Sequence, residues 1–67
     1  MSVATVTEIS ATSSQSFEDA IRQGLERAAK TLRNIRAAYV KEQRVRLEND
    51  KIAEYIVHLE VTFVLEG

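Results

Sequence analysis

The sequence predicts an α+β fold of order β-α-β-β, in which a three-stranded antiparallel sheet wraps on one amphipathic helix. Three observations carry this. From Phe17 to Leu32 the residues Phe17, Ala20, Ile21, Gly24, Leu25, Ala28 and Leu32 recur at steps of three and four, the period of a helix with one buried face. From Tyr55 to Glu66 two sets of residues alternate, Tyr55, Val57, Leu59, Val61, Phe63 and Leu65 in one and Ile56, His58, Glu60, Thr62, Val64 and Glu66 in the other, the period of a half-buried strand. Between them the polar run Glu48-Asn49-Asp50-Lys51 marks a turn that joins two strands as a hairpin.

Taken in chain order, Thr5 to Ile9 reads as a short first strand, followed by a Ser/Thr-rich loop from Ser10 to Ser16. The helix follows, at about 16 to 33. Ser16, with Asp19 three residues on, resembles a capping box, although Glu or Gln is preferred at the second position. Lys30 and Arg33 stand where the negative end of the helix dipole favours cations. Gly24 in the middle of the run costs about 1 kcal/mol relative to alanine, and on the apolar face its use is the close approach of a sheet. Ile35 to Leu47 is the middle strand, rich in β-branched and aromatic residues but alternating less cleanly. Residues 35–51 carry a net charge of +2 and residues 52–67 a net charge of −3, so the hairpin sets opposite charges side by side.

One helix covers one face of such a sheet. On a regular phasing the other face holds Ala37, Tyr39, Val45, Leu47, Ile56 and Val64 among polar residues, a mixed surface suited to a neighbouring subunit. Size points the same way. Residues 1–67 form one domain with no repeat or linker, and the chain contains no cysteine, proline or tryptophan. A domain of this length buries only about 60% of its unfolded surface, and neither a disulfide nor a zinc site built on the single histidine, His58, is available. Oligomerisation is the remaining means of stabilisation.

Composition excludes several functions. With 45% hydrophobic and 28% charged residues the chain is an ordinary folded one, and at net charge −1 it has no field to attract nucleic acid or a membrane surface. Met1 to Ser16 lacks a basic residue followed by an apolar run, and nowhere do about 18 apolar residues follow one another; the expected location is the cytoplasm. There is no glycine-rich phosphate loop and no cysteine nucleophile, and Ser13, Ser14 and Ser16 read as a loop and helix cap because no base accompanies them. No catalytic residue is assigned.

Two clusters remain. His58 and Glu60 project from one face of the last strand, with Glu54 and Glu66 farther along it. Such a row either holds a hard cation such as calcium or magnesium or pairs across the sheet with Lys41 or Arg44. Arg36, Arg44 and Arg46 share a face if their strand is regular, and either receive a phosphorylated ligand or pair with acidic neighbours such as Glu42 and Glu48.

The pattern Thr-Glu-Ile at 7–9, Thr12-Ser13, Ser16-Phe17-Glu18-Asp19-Ala20, Arg27-Ala28, Thr31-Leu32-Arg33-Asn34-Ile35 and Leu59-Glu60-Val61-Thr62-Phe63 resembles the dodecins, a family of small flavin-binding proteins. The resemblance covers essentially the whole chain. It implies a homododecameric hollow shell of non-enzymatic subunits that holds riboflavin or FMN in pairs at subunit contacts, for storage and quenching. In the flavin-binding members a tryptophan three residues after the helix-end asparagine stacks on the ring and a glutamine on the last strand bonds its edge. Here those positions are Ala37 and Ile56, and Val64 replaces a further arginine, whereas Arg44 is retained. Ala37 and Ile56 remove the stacking surface and the two-way amide. Ile35-Arg36-Ala37-Ala38, Glu42-Gln43 and Ile56-Val57-His58-Leu59-Glu60-Val61 look similar to a calcium-binding member. The expectation is a self-associating shell with weak or absent flavin binding, holding another small ligand or an ion, calcium among them, with Glu60 and His58 as metal candidates. Its alternatives are a flavin carrier stacking on Tyr39 or Tyr55, and a purely structural oligomer.

Overall fold

In a computed structural model, described over residues 3–65, the chain runs β1 (Val3–Ser13), α1 (Phe17–Ala28), β2 (Ile35–Glu48) and β3 (Lys51–Leu65). The sheet is antiparallel with β3 in the centre, in the order β1-β3-β2. This is the predicted β-α-β-β architecture. Val57, Leu59 and Val61 of β3 are fully buried together with Ala20 of α1, and Ile9, Phe17, Ile21, Leu25, Leu32, Ile35 and Val40 close around them. The central strand therefore carries the core, because it alone is flanked by a strand on each side and by the helix above.

Gly24 sits where the helix meets β1. A Cβ on it would lie 2.9 Å from the Ala11 Cβ, closer than two such carbons approach, so the expected close approach of the sheet is present. The helix begins as its cap predicts: the Ser16 Oγ accepts the Asp19 backbone N–H at 2.9 Å. The capping box is not reciprocal, however. The short Asp19 side chain accepts instead from the Ser13 hydroxyl at 2.6 Å, from Arg22 at 2.8 Å and from Gln23 at 2.6 Å, while the Ser13 Oγ accepts the Gln15 and Ser16 N–H groups.

Three boundaries depart from the sequence expectation. The first strand extends over Ser10 to Ser13, read above as loop, because Ser10, Ala11, Thr12 and Ser13 pair with His58, Val57, Ile56 and Tyr55 of the long central strand. The helix ends at Ala28 rather than near residue 33: Lys30 and Thr31 bond back to Arg27 and Ala28 in a tightened turn, and Asn34 takes a left-handed conformation, φ 60°, that turns the chain into β2. Leu32 still reaches the core from outside the helix. The hairpin closes through Asn49 and Asp50 alone, both left-handed at φ 52° and 64°, so β3 starts at Lys51 rather than Tyr55.

The regular phasing of the middle strand fails as well. Register shifts fall between Ile35 and Ala37, between Val40 and Glu42, and between Arg46 and Leu47. The first two insert a residue in β2, Arg36 and Lys41, and flip the β2 faces that follow, whereas the third inserts Ala53 in β3. Ala37 and Tyr39 lie on the face away from the helix, as expected, but Val45 pairs with Tyr55 and points to the helix side, and Leu47, two residues on with no extra β2 residue between them, points the same way.

Candidate functional site

The face of the sheet away from the helix carries Ala37, Tyr39, Arg44, Ile56, His58 and Glu60 of the residues singled out for binding. Along β3 it presents Glu54, Ile56, His58, Glu60 and Thr62, with Glu8, Ser10 and Thr12 from β1 and Ala37, Tyr39, Glu42, Arg44 and Arg46 from β2 in register beside them. The bulge at Lys41 turns its ammonium onto this face. It bonds the Glu8 carboxylate at 2.8 Å and stands 3.9 Å from Glu60. The hydrogen bond and charge of Lys41 hold the Glu8 carboxyl below its usual range, and Glu8 in turn raises Lys41. His58 Nδ1 lies 3.9 Å from Glu42.

Within one subunit these contacts pair the acidic row across the sheet. Cross-strand pairing with Lys41 is present, and among the described residues no three histidine, cysteine or carboxylate side chains converge as a metal site requires. Glu66 lies outside the described residues. The arginine trio does not assemble. Arg36 stands in the first bulge, while Arg46 is held by Glu54 and Glu48 at 2.8 and 2.9 Å, partners that raise its pKa. Arg44 shares its face but has no ion pair among the described residues, and it is the cross-strand neighbour of Ile56.

Ala37 and Ile56 do not meet. Ala37 pairs with Thr62, six positions from Ile56 along β3, about 20 Å at roughly 3.3 Å per residue. A pocket using both therefore takes them from different subunits. The two tyrosines also differ. Tyr55 packs edge-on against Phe17 with centroids 5.1 Å apart, on the helix side, whereas Tyr39 is 64% exposed on the open face, two residues from Ala37. Beside it, at the β2 edge, a groove of about 400 Å³ is lined by Leu25, Ala29, Ile35, Ala37 and Ala38, with Glu26 and Arg36 at its rim.

Sequence reasoning missed Glu8 and the position of Lys41. The only trace of the bulge is the imperfect alternation around Val40-Lys41-Glu42. Among the described residues no helix is long and apolar enough to cross a membrane.

Residues 3–66 match the Dodecin family profile. Among solved structures, the dodecin from Streptomyces davaonensis is 36% identical, with a TM-score of 0.94 over 98% of this chain and 97% of that one. The tt0972 protein from Thermus thermophilus is 40% identical, with a TM-score of 0.94 over 100% and 98%. Calcium dodecin from Mycobacterium tuberculosis, described as a calcium-chelating antigen with a novel calcium-binding site, is 35% identical, with a TM-score of 0.82 over 97% and 93%. A comparison with curated proteins finds no match. Profile, identity and fold agree over the full length of the described chain, and it belongs to the dodecin family.

Proposed function

We propose that the protein is a cytoplasmic, non-enzymatic dodecin shell of twelve copies that holds a small ligand or ion other than flavin. The observation that carries this reading is the pair Ala37 and Ile56. Both lie on the open face, where the resemblance places the stacking tryptophan and the hydrogen-bonding glutamine, and neither supplies a ring or an amide. The residues present do not fit a flavin held in the family's manner. Arg44, the retained position, stands beside Ile56 and has no ion pair among the described residues, which suits it to an anionic group. Ser13, the serine nearest a carboxylate, is engaged in the helix cap, which supports a non-catalytic role.

The ion arm of the proposal rests on Glu60 and His58. They stand on one face of β3 with Glu8 and Glu42 on its two flanks, and a relative 35% identical is a calcium dodecin. Within one subunit Lys41 already supplies the positive charge that Glu8 and Glu60 attract. A calcium ion at Glu60 therefore draws further oxygens from a neighbouring subunit. Exposed Tyr39 favours one second reading, a flavin carrier with a substitute stacking ring; Tyr55 is occupied by Phe17.

Restoration tests the proposal. Lost stacking and amide contacts together amount to about 2–3 kcal/mol, roughly 30- to 150-fold in affinity. Ala37→Trp combined with Ile56→Gln is expected to tighten riboflavin binding by that factor, read by quenching of riboflavin fluorescence. No gain in the assembled variant contradicts the account of these two positions. Calorimetry with calcium, repeated on Glu60→Ala, tests the ion arm; heat that survives the substitution removes Glu60 from the site.

A further inference from the structure

The groove at the β2 edge has its cause in the sequence. Ala29 just past the end of α1 and Ala37 and Ala38 at the start of β2 are small residues at the place where the helix stops and the chain enters the sheet. Their short side chains leave about 400 Å³ open between helix and sheet edge, within the roughly 300–1,000 Å³ of small-molecule sites. Leu25 and Ile35 line it and pack on the core beneath, so its floor is apolar and fixed by the fold.

Its rim is charged with both signs. Glu26 stands on the helix wall and Arg36 on the sheet wall, both exposed. Neither has an ion pair among the described residues, with the other or with Lys30, although Lys30, four residues beyond Glu26, is at the spacing of the ordinary surface pair. Arg36 is the extra residue of the first β2 bulge, a device that re-aims a side chain out of the strand's alternation. The same edge resists cover by another strand, since it carries a second bulge at Lys41 and the basic residues Arg36, Lys41, Arg44 and Arg46, features that block edge pairing.

We propose that the α1–β2 groove is a second ligand site, which binds a small zwitterion with an apolar body, the chemistry of a free apolar amino acid. The apolar body rests on Leu25 and Ile35, the carboxylate pairs with the Arg36 guanidinium, and the ammonium pairs with Glu26. A simple anion leaves Glu26 unpaired and beside a like charge, and a simple amine does the same at Arg36, so the zwitterion alone satisfies both rim charges. The groove uses none of Ile56, His58 and Glu60 and goes beyond the ligand or ion proposed for the open face.

Saturation-transfer NMR of the native assembly tests this with three probes that share one ring: phenylalanine, 3-phenylpropionate, which lacks the ammonium, and phenethylamine, which lacks the carboxylate. Phenylalanine is expected to bind, and each of the other two to bind about 1.5- to 5-fold more weakly, the range of one exposed charge pair. No phenylalanine signal, or equal binding of all three, overturns the proposal. Ala38→Leu fills the groove and is expected to abolish the phenylalanine signal with the mass and circular dichroism retained; a signal that survives in that variant places the probe elsewhere and overturns it. Where Ala38→Leu disturbs assembly, the exposed rim decides. Arg36→Gln is expected to erase the advantage of phenylalanine over phenethylamine, and Glu26→Gln its advantage over 3-phenylpropionate, and an unchanged ranking in both variants overturns the proposal. Riboflavin and calcium titrations read the open face, so failure here leaves the function proposed for that face standing.

Discussion

Replacing Gly24 by alanine sets two effects of known size against each other. In an exposed helix the change stabilises by about 1 kcal/mol, since alanine is the better helix former. Here the added methyl meets the Ala11 Cβ at 2.9 Å, the Ile9 Cδ1 at 3.6 Å and the Leu59 Cδ1 at 3.8 Å. The last two are ordinary contacts. The first is not, and the Ala11 Cβ has no rotamer by which to retreat, so β1 or the helix must shift. Overpacking of this kind costs about 1–3 kcal/mol, leaving Gly24→Ala destabilised by about 0–2 kcal/mol after the propensity gain. The decisive variant is the double one. Ala11→Gly removes the opposing methyl, and with it Gly24→Ala becomes stabilising, so the pair shows a favourable coupling of about 1–3 kcal/mol in a double-mutant cycle. Urea unfolding of the four proteins at one protein concentration reads it, since subunit association otherwise shifts the midpoint. A Gly24→Ala protein stabilised by about 1 kcal/mol on its own, with no coupling to Ala11, refutes the close approach of α1 and β1.

Two further outcomes follow from the local geometry. The Ser13 hydroxyl is the main group holding the Asp19 carboxyl below its ordinary value of 3.8, with Gln23 and Arg22 adding to it. Because the folded value is the lower one, this stabilisation is full above pH about 4 and is lost as pH falls through the folded pKa. Ser13→Ala should therefore narrow the stability difference between neutral and acid pH, measured by unfolding between pH 7 and pH 2, and an unchanged profile removes Ser13 from that role. At the hairpin, Asp50 holds φ 64°. Asp50→Gly should raise stability by about 0.5 kcal/mol and Asp50→Val lower it by about 1 kcal/mol or more; equal unfolding midpoints for the two contradict a left-handed turn there.

Legibility of the fold in the sequence followed the strength of each period. The helix and the central strand were legible because Ala20, Leu25, Val57, Leu59 and Val61 are placed by burial, which imposes a period on the chain. The ends were not. Ser10 to Thr12 look like a loop by composition, yet they are strand because β3 is long enough to pair with them, a constraint that resides in partners 44 to 48 residues away. The helix stops at Ala28 although Leu32 keeps the apolar spacing, since Leu32 reaches the core from a turn. The open face was legible in its main parts, Ala37, Ile56, His58 and Glu60, through alternation and the family resemblance. Val45, Leu47 and Lys41 were misplaced or overlooked because a bulge adds one residue without a residue type that announces it. That one shift brings Lys41 to Glu8 and Glu60 and separates Arg36 from Arg44.

Titration of riboflavin with the native protein, followed by flavin fluorescence, tests the central claim most directly, provided the same sample has the mass of twelve subunits, about 91 kDa from a 7.6 kDa chain. The account predicts a full-sized shell that leaves riboflavin fluorescence unquenched at low micromolar concentration. Stoichiometric quenching by that shell contradicts it and makes exposed Tyr39 the stacking surface to examine next.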